Sequence, residues 1–164
     1  MDSGNRGVDL FLNMAQLIPT IVDKFFKDIS PLGGGVLYSL VLLVVLGLQE
    51  MALFLRLLFG FLLTGMVVVL IRSVYFKDRP QRREYHSWME KIIASSFPSW
   101  HTARAVFLAL TFMTLGGVYL KVVLGFIALL VGYSRIHLRR HDYWDVLGGM
   151  VLGMVTFFLG SFFF

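Results

Sequence analysis

Histidine, aspartate and arginine side chains are concentrated in residues 134–145, SRIHLRRHDYWD, between two strongly apolar runs. His141 and Asp145 are spaced i, i+4, so on a helix they lie on one face. A carboxylate on one imidazole nitrogen fixes the tautomer and frees the other nitrogen as a base or nucleophile. Arg135, at the end of the preceding run, offers a guanidinium that binds phosphate or carboxylate groups. These residues predict nucleophilic or acid–base chemistry on an anionic group.

A second polar segment, FPSWHTAR at residues 97–104, begins another apolar run. Pro98 suits the first turn of a helix, which leaves the amides of residues 99–101 as donors at a helix N-terminus and predicts an anion site. Ser99 adds a hydroxyl, and His101 adds a group that can donate a proton near neutral pH. The alternative is an ordinary capped helix start with a tryptophan at the membrane interface.

The third polar segment, RSVYFKDRP at residues 72–80, is basic. Arg72 and Arg79 are two helical turns apart, so we expect them to share a helix face. The alternative is a basic flank that anchors the end of a membrane span, which is a common arrangement.

The composition is that of an integral membrane protein. Hydrophobic residues make up 57% of the 164 residues and charged residues 15%, against roughly 45–50% and 25% in soluble domains. The absence of cysteine excludes disulfides, thiolate catalysis and cysteine metal sites. The net charge of +5 suits an anionic partner such as lipid phosphates or the bilayer surface, and no nucleic-acid partner is expected.

The apolar runs predict an all-α fold, a polytopic membrane helix bundle of five or six transmembrane helices with interfacial amphipathic helices, in a single domain over residues 1–164. Residues 9–27 have apolar side chains on one helical face and polar ones on the other, which predicts a helix lying in the interface. A first membrane span with a polar stripe is the alternative for this helix. The five runs are at about 34–49, 51–71, 100–119, 121–134 and 146–164.

The spans must bring the three polar segments together. With alternating spans, the polar ends of the runs fall on one membrane face, at Arg72, His101, Ser134 and Asp145. The loop 72–97 lies on the same face and is predicted to contain a short interfacial helix, or else to be a plain connector. That helix would present Tyr85, Trp88, Met89, Ile92 and Ser96 on one side.

The three segments together resemble the type 2 phosphatidic acid phosphatase family, part of the superfamily that includes vanadium haloperoxidases and bacterial acid phosphatases. The family's motifs are Lys-x6-Arg-Pro, Pro-Ser-Gly-His and Ser-Arg-x5-His-x3-Asp. The third motif is complete in residues 134–145. Residues 98–101 match the second with Trp100 in place of glycine, and residues 72–80 match the first with Arg72 in place of lysine.

The resemblance implies metal-independent hydrolysis of a phosphomonoester or diphosphate on a membrane lipid, without a cofactor. By analogy, His141 attacks phosphorus to form a phosphohistidine, Asp145 orients it, and His101 protonates the leaving oxygen and then activates water. The indole of Trp100 is expected to form a wall of the entrance. The implied phosphate-binding residues are Arg72, Arg79, Ser99, Trp100 through its amide, and Arg135. The implied substrates are an isoprenoid diphosphate, phosphatidylglycerol phosphate, a lipid A phosphate or phosphatidate.

The polar residues at this membrane face, which include Arg72, His101, Arg135, His141 and Asp145, are called the charged rim below. Three other interpretations of the charged rim stay open. The first is an inactive relative that only binds lipid phosphate, for which Trp100 is the main argument. The second is a small anion channel or transporter subunit, which predicts more polar residues within the spans than the sequence has. The third is a metal site, which the neighbouring arginines would disfavour, made of His137, His141, Asp142 and Asp145.

Two criteria place the charged rim on opposite sides of the membrane. The family resemblance implies a multi-pass protein of a bacterial inner or plasma membrane with the active site on the extracytoplasmic side, and we adopt this placement. The excess of Lys and Arg in residues 72–97 and 134–145 would instead place the rim in the cytoplasm under the positive-inside rule.

Overall fold

The computed structural model describes residues 17–81 and 84–164, and the regular secondary structure within these ranges is helical, without strands. The predicted all-α class is therefore confirmed. Helix α1 includes Leu17–Gly33, and its last turn, Ser30–Gly33, is a 3-10 turn. The other helices are α2 (Gly35–Gly47), α3 (Met51–Val74), α4 (Trp88–Ala94), α5 (Trp100–Met113), α6 (Val118–His137) and α7 (Tyr143–Phe163).

Among the described residues, three helices are long and apolar enough to cross a bilayer: α3 with 24 residues, α6 with 20 and α7 with 21. Helices α1 and α2, which meet at a bend of 50°, would make a fourth span if they are taken as one bent helix. Helix α5 has 14 residues, fewer than the roughly 20 of a typical span. The chain is an integral membrane protein, and the count of five or six spans stays a prediction.

Helix α1 only partly matches the amphipathic helix predicted over residues 9–27. Residues 9–16 lie outside the described part of the chain, and the helix continues past residue 27. Phe26 packs against the rings of Tyr133 and His137, with centroids 5.2 and 4.5 Å away. Helix α1 therefore crosses the end of α6 that carries the third motif.

Helix α5 lies at the centre of the bundle, in contact with α3, α6, α7 and the last turn of α1. Two glycines of α7 let it approach α5 closely. A Cβ at Gly149 would lie 2.5 Å from the Ser99 carbonyl oxygen, and one at Gly153 would lie 2.6 Å from that of Ala103. Small residues at such crossings let helix backbones pack tightly in membranes. This contact places the start of α5 beside the start of α7.

The loop between α3 and α5 contains the predicted short helix as α4. Ser87 caps it by accepting a hydrogen bond from the Glu90 amide at 3.2 Å. Ile92 is buried, whereas Trp88 and Met89 are more than half exposed. The prediction that five side chains share a face of this helix is therefore wrong, because Tyr85 and Ser96 lie outside α4. Trp88, Met89 and Ile92 keep the helical spacing of one side of α4, but they differ in burial.

Candidate active site

The turn between α6 and α7 holds the third motif through hydrogen bonds of its own. The His141 amide donates to the Arg135 carbonyl at 3.1 Å, and Arg139 reverses the chain with a φ of 52°. Asp142 caps α7 by accepting from the Asp145 amide at 2.9 Å, while the Asp145 carboxylate accepts from the Asp142 amide at 3.0 Å. This reciprocal capping box fixes the Asp145 side chain at the first turn of α7.

His141 and Asp145 meet as their spacing predicts, although His141 lies just before α7 rather than within it. Their Nδ1 and Oδ2 atoms are 3.5 Å apart, and the side chains are 2% and 0% exposed. This separation lies within the range of an ion pair and is longer than that of a usual hydrogen bond. It leaves Nε2 as the imidazole nitrogen that does not face the carboxylate.

The surroundings of His141 favour its neutral form. Burial lowers the pKa of the imidazole, and Asp145 opposes this shift. The positive charges of Arg135 and Arg79 lower the pKa further. The pKa therefore lies below the ordinary histidine value, which keeps the ring unprotonated and able to act as a nucleophile at neutral pH.

Ser99 is the N-cap of α5 and joins the second motif to the third. Its amide donates to the Asp145 carbonyl at 2.9 Å, so the prediction that this amide is a free donor was wrong. The amides of Trp100 and His101 lie in the first turn, where they have no acceptor within the helix. The Ser99 hydroxyl is fully buried and accepts from Thr102 Oγ1 at 2.9 Å.

The Trp100 side chain packs toward α3 instead of forming the predicted wall of the entrance. A Cβ at Gly65 would lie 3.2 Å from Trp100 Cζ2. The Arg104 guanidinium stacks over the indole at 4.3 Å and over the Phe61 ring at 4.4 Å. Sequence reasoning missed Arg104, although its i, i+4 spacing from Trp100 was a usable signal.

Arg72 lies near the end of α3 with its side chain buried. Its guanidinium donates to the carbonyls of Ile92, Ser96 and Pro98, at 3.3, 3.4 and 2.9 Å. The side chain thus fixes the loop that leads into the second motif. Its positive charge lies within electrostatic range of Asp145.

Arg79 does not share a helix face with Arg72, so that prediction was wrong. Helix α3 ends at Val74, and the chain then runs extended. Arg79 Nη2 donates to the Ile93 carbonyl at 2.7 Å and lies 3.5 Å from the Ser95 carbonyl. The two guanidinium groups come together because the extended segment folds back along the loop before α5.

Arg135 and His101 line a cavity of about 640 Å³ under the bend between α1 and α2. Arg135 is buried and donates a hydrogen bond to the Ser30 hydroxyl in the last turn of α1. One part of the lining is cationic and the other is aliphatic. The cationic part consists of Lys27, Arg135 and Arg140, with the His101 imidazole beside them, and the aliphatic part includes Val36, Leu37 and Leu40.

Sequence reasoning also missed Lys77, which was considered only as a flanking charge. Its Nζ lies 2.6 Å from Asp142 Oδ2 and 2.8 Å from Asp145 Oδ1. Burial lowers the pKa of the ammonium, but these hydrogen bonds outweigh that effect and the pKa is raised overall. Lys77 therefore stays positively charged, and it contacts the Asp145 carboxylate, which faces His141.

The four-residue metal site considered from the sequence is not assembled. His137 Nε2 is 2.7 Å from Asp23 Oδ1 of α1, whereas His141 faces Asp145. Over residues 17–81 and 84–164, no three acidic or histidine side chains are grouped so that they could hold a metal ion.

A sequence profile of the PAP2 superfamily matches residues 53–163, a range that contains all three polar segments. The chain belongs to the PAP2 superfamily. The resemblance to type 2 phosphatidic acid phosphatases is thereby confirmed. The matched range excludes α1 and α2, which supply Lys27, Ser30 and the aliphatic part of the cavity.

Two curated relatives of the PAP2 chain come from Bacillus subtilis (strain 168). Phosphatidylglycerophosphatase B is 32% identical, over 56% of this chain and 55% of its own length. Undecaprenyl-diphosphatase BcrC is 36% identical, over 59% of this chain and 51% of its own length. The chain spans about half the length of these relatives.

Two solved structures share the fold. LpxE of Aquifex aeolicus has a TM-score of 0.73 at 23% identity, covering 92% of this chain and 93% of its own. A transmembrane PAP2-type phosphatidylglycerolphosphate phosphatase from Bacillus subtilis has a TM-score of 0.62 at 24% identity, covering 98% and 86%. These likenesses confirm the predicted membrane helix bundle.

Proposed function

We propose that this protein is a lipid phosphatase that hydrolyses a phosphomonoester or diphosphate on a membrane lipid through a phosphohistidine at His141. The observation that carries the proposal is the cavity, whose cationic part and aliphatic part adjoin. The cationic part suits a phosphate group, and the aliphatic part suits a lipid chain. The proposal treats residues 1–164 as one domain, because α1 and α2 line the same cavity as α5 and α6.

The first half-reaction forms a bond between His141 Nε2 and phosphorus and breaks the bond from phosphorus to the lipid oxygen. Asp145, facing Nδ1, stabilises the positive charge that develops on the ring. The negative charge of the bound phosphate favours the protonated form of His101, which gives its proton to the leaving oxygen. Arg135 and the first amides of α5 stabilise the phosphoryl oxygens electrostatically, with Arg72 and Arg79 contributing positive charge.

In the second half-reaction, His101 removes a proton from water, and the resulting hydroxide attacks the phosphohistidine. The nitrogen–phosphorus bond breaks, inorganic phosphate leaves, and His141 returns to its neutral form. Each step uses water and the side chains and backbone amides of this chain, so the proposed mechanism needs no metal or cofactor.

The backbone at Trp100 supports activity over the inactive-relative alternative. Among the described residues, the only non-glycine positions with positive φ are Gln49 and Arg139. Trp100 therefore adopts ordinary helical angles, and its amide lies in the first turn of α5 where a phosphate oxygen can accept from it. The indole, packed toward α3, leaves the cavity to the substrate.

The proposed substrates are the lipid phosphates that the sequence resemblance implies: an isoprenoid diphosphate, phosphatidylglycerol phosphate, a lipid A phosphate or phosphatidate. The names of the two curated relatives support the first two. Purified protein should release phosphate from at least one of these lipids in excess EDTA. His141→Ala should abolish the release, and His86→Ala, in an exposed loop, should not. Activity that requires one particular divalent ion would contradict the proposal.

We further propose that the active site faces the extracytoplasmic side of a bacterial plasma membrane, as in the family it belongs to. The chain has no cysteine, so a single introduced thiol reports its own location. Gln81→Cys lies beside the active site on the exposed extended segment. A membrane-impermeant maleimide should label it in intact cells, and labelling only after lysis would place the site in the cytoplasm.

A further inference from the structure

The Lys77 ammonium lies between two carboxylates at the N-terminus of α7. It is 2.6 Å from Asp142 Oδ2 and 2.8 Å from Asp145 Oδ1. Asp145 is fully buried, whereas the side chains of Lys77 and Asp142 are 26% and 38% exposed. Lys77 occupies one of the unspecified positions of the first motif, between Arg72 and Arg79, so the motif assigns it no role.

The backbone at Lys77 is fixed although it belongs to no helix. Its amide donates to the Ser95 hydroxyl at 3.3 Å, and its carbonyl accepts from the Ser96 amide at 2.8 Å. Both serines are fully buried. The extended segment is therefore attached to the loop that leads into α5, and the Lys77 side chain is directed to the start of α7.

The carboxylate of Asp145 has its orientation set by groups other than His141. Oδ1 accepts from Lys77, and Oδ2 accepts from the Asp142 amide at 3.0 Å. Oδ2 also faces His141 Nδ1 at 3.5 Å. Lys77 thus acts on both the direction and the net charge of the group that faces the nucleophile.

We propose that Lys77 is a positioning residue of this active site: it holds Asp145 against His141 and offsets part of the carboxylate's charge, while Asp142 keeps the ammonium in place. The inference rests on the proposed function. Without Lys77, the full negative charge of Asp145 would act on His141 and favour the protonated imidazole, which cannot attack phosphorus.

The charged and titratable groups around His141 come from four elements. Asp145 faces it from α7 and Arg135 from α6. His101 lies within electrostatic range on α5. Arg79 and Lys77 belong to the extended segment, where Arg79 acts on His141 directly and Lys77 acts through Asp145. Of these groups, Lys77 can be changed without altering a side chain that the mechanism places at the phosphate or the nucleophile.

The first test is the pH dependence of kcat/KM for lipid phosphate release. Lys77→Met should move the acid limb upward by about one pH unit and lower kcat at least about tenfold, with KM changed less than about threefold. Lys77→Arg, which keeps the cation, should restore the wild-type profile. Lys24→Met removes an exposed lysine of α1 and serves as the matched control.

A second test measures the pKa of His141 directly, without substrate. The chain has four histidines, so isotope-labelled histidine in detergent-solubilised protein gives a titration of His141, assigned by its loss in His141→Gln. Lys77→Met should raise the pKa of His141. Lys77→Gln, which keeps a hydrogen-bond donor for Asp145 Oδ1 but carries no charge, should raise it as well.

The outcomes of these tests distinguish a failure of the proposed lipid phosphatase function from a failure of the proposed role of Lys77. A wild-type protein that releases no phosphate from any lipid would refute the proposed function, and the titration would still decide the role of Lys77. If Lys77→Met does not fold, Lys77→Gln carries the test with the same sign. An unchanged titration of His141 in both variants, or a Lys77→Arg protein as impaired as Lys77→Met, would overturn the inference.

Discussion

Gly149 on α7 offers a test of how closely α5 and α7 must approach to build the site. A Cβ at this position would lie 2.5 Å from the Ser99 carbonyl oxygen and 3.0 Å from Thr102 Cβ. The first neighbour is backbone, so Gly149→Ala must push the start of α5 outward by about 0.5 to 1 Å to reach ordinary contact. That shift would lengthen the 2.9 Å hydrogen bond from the Ser99 amide to the Asp145 carbonyl.

The expected cost follows from this displacement. Overpacking a tight contact costs about 1–3 kcal/mol of stability, and misplacing a catalytic group by about 1 Å costs on the order of 100-fold in rate. Gly149→Ala should therefore lower both the unfolding temperature and kcat/KM. The matched control is Gly47→Ala on α2, where a Cβ meets nothing within 4 Å. Wild-type activity and stability in Gly149→Ala would refute the idea that this helix contact positions the site.

Three further predictions test the chemistry. Because burial lowers the pKa of His141, the acid limb of kcat/KM should lie below the ordinary histidine value of about 6.5. Since the pKa of His141 is lower in the folded protein than in the unfolded one, the free energy of unfolding should fall as pH drops through about 6.5. His141→Gln should weaken this pH dependence. Vanadate, which adopts the trigonal-bipyramidal geometry of phosphoryl transfer, should inhibit phosphate release at micromolar to millimolar concentration, and an insensitive active enzyme would contradict the mechanism. Trp100→Gly removes the ring on which Arg104 stacks, so it should lower stability by about 0.5–2 kcal/mol while the chemical step stays within about tenfold, or about 1.4 kcal/mol. An inactive native protein that Trp100→Gly switches on would support the inactive-relative alternative instead.

The sequence was most informative where function depends on local spacing. The i, i+4 relation of His141 and Asp145 survives in the fold because a helix start follows the histidine directly. The apolar runs likewise predicted the helical membrane bundle, since a bilayer admits few other architectures. In these cases the physics that decides the structure acts over only a few residues.

The sequence was least informative where chain segments meet after a change of direction. The spacing of Arg72 and Arg79 suggested a common helix face, but α3 ends at Val74 and tertiary contacts bring the two together. Lys77 was missed because Asp142 and Asp145 lie 65 and 68 residues away along the chain. The direction of the Trp100 indole depended on space at Gly65, which no local pattern encodes.

The central claim, a covalent intermediate on His141, can be tested by trapping it. Purified protein would be mixed with a lipid carrying labelled phosphate, quenched within one turnover in alkali, where phosphohistidine survives, and digested for mass spectrometry. The peptide that contains His141 should carry the label in the wild-type protein, and His141→Ala should carry none. Label on any other residue of an active enzyme would contradict the proposed mechanism.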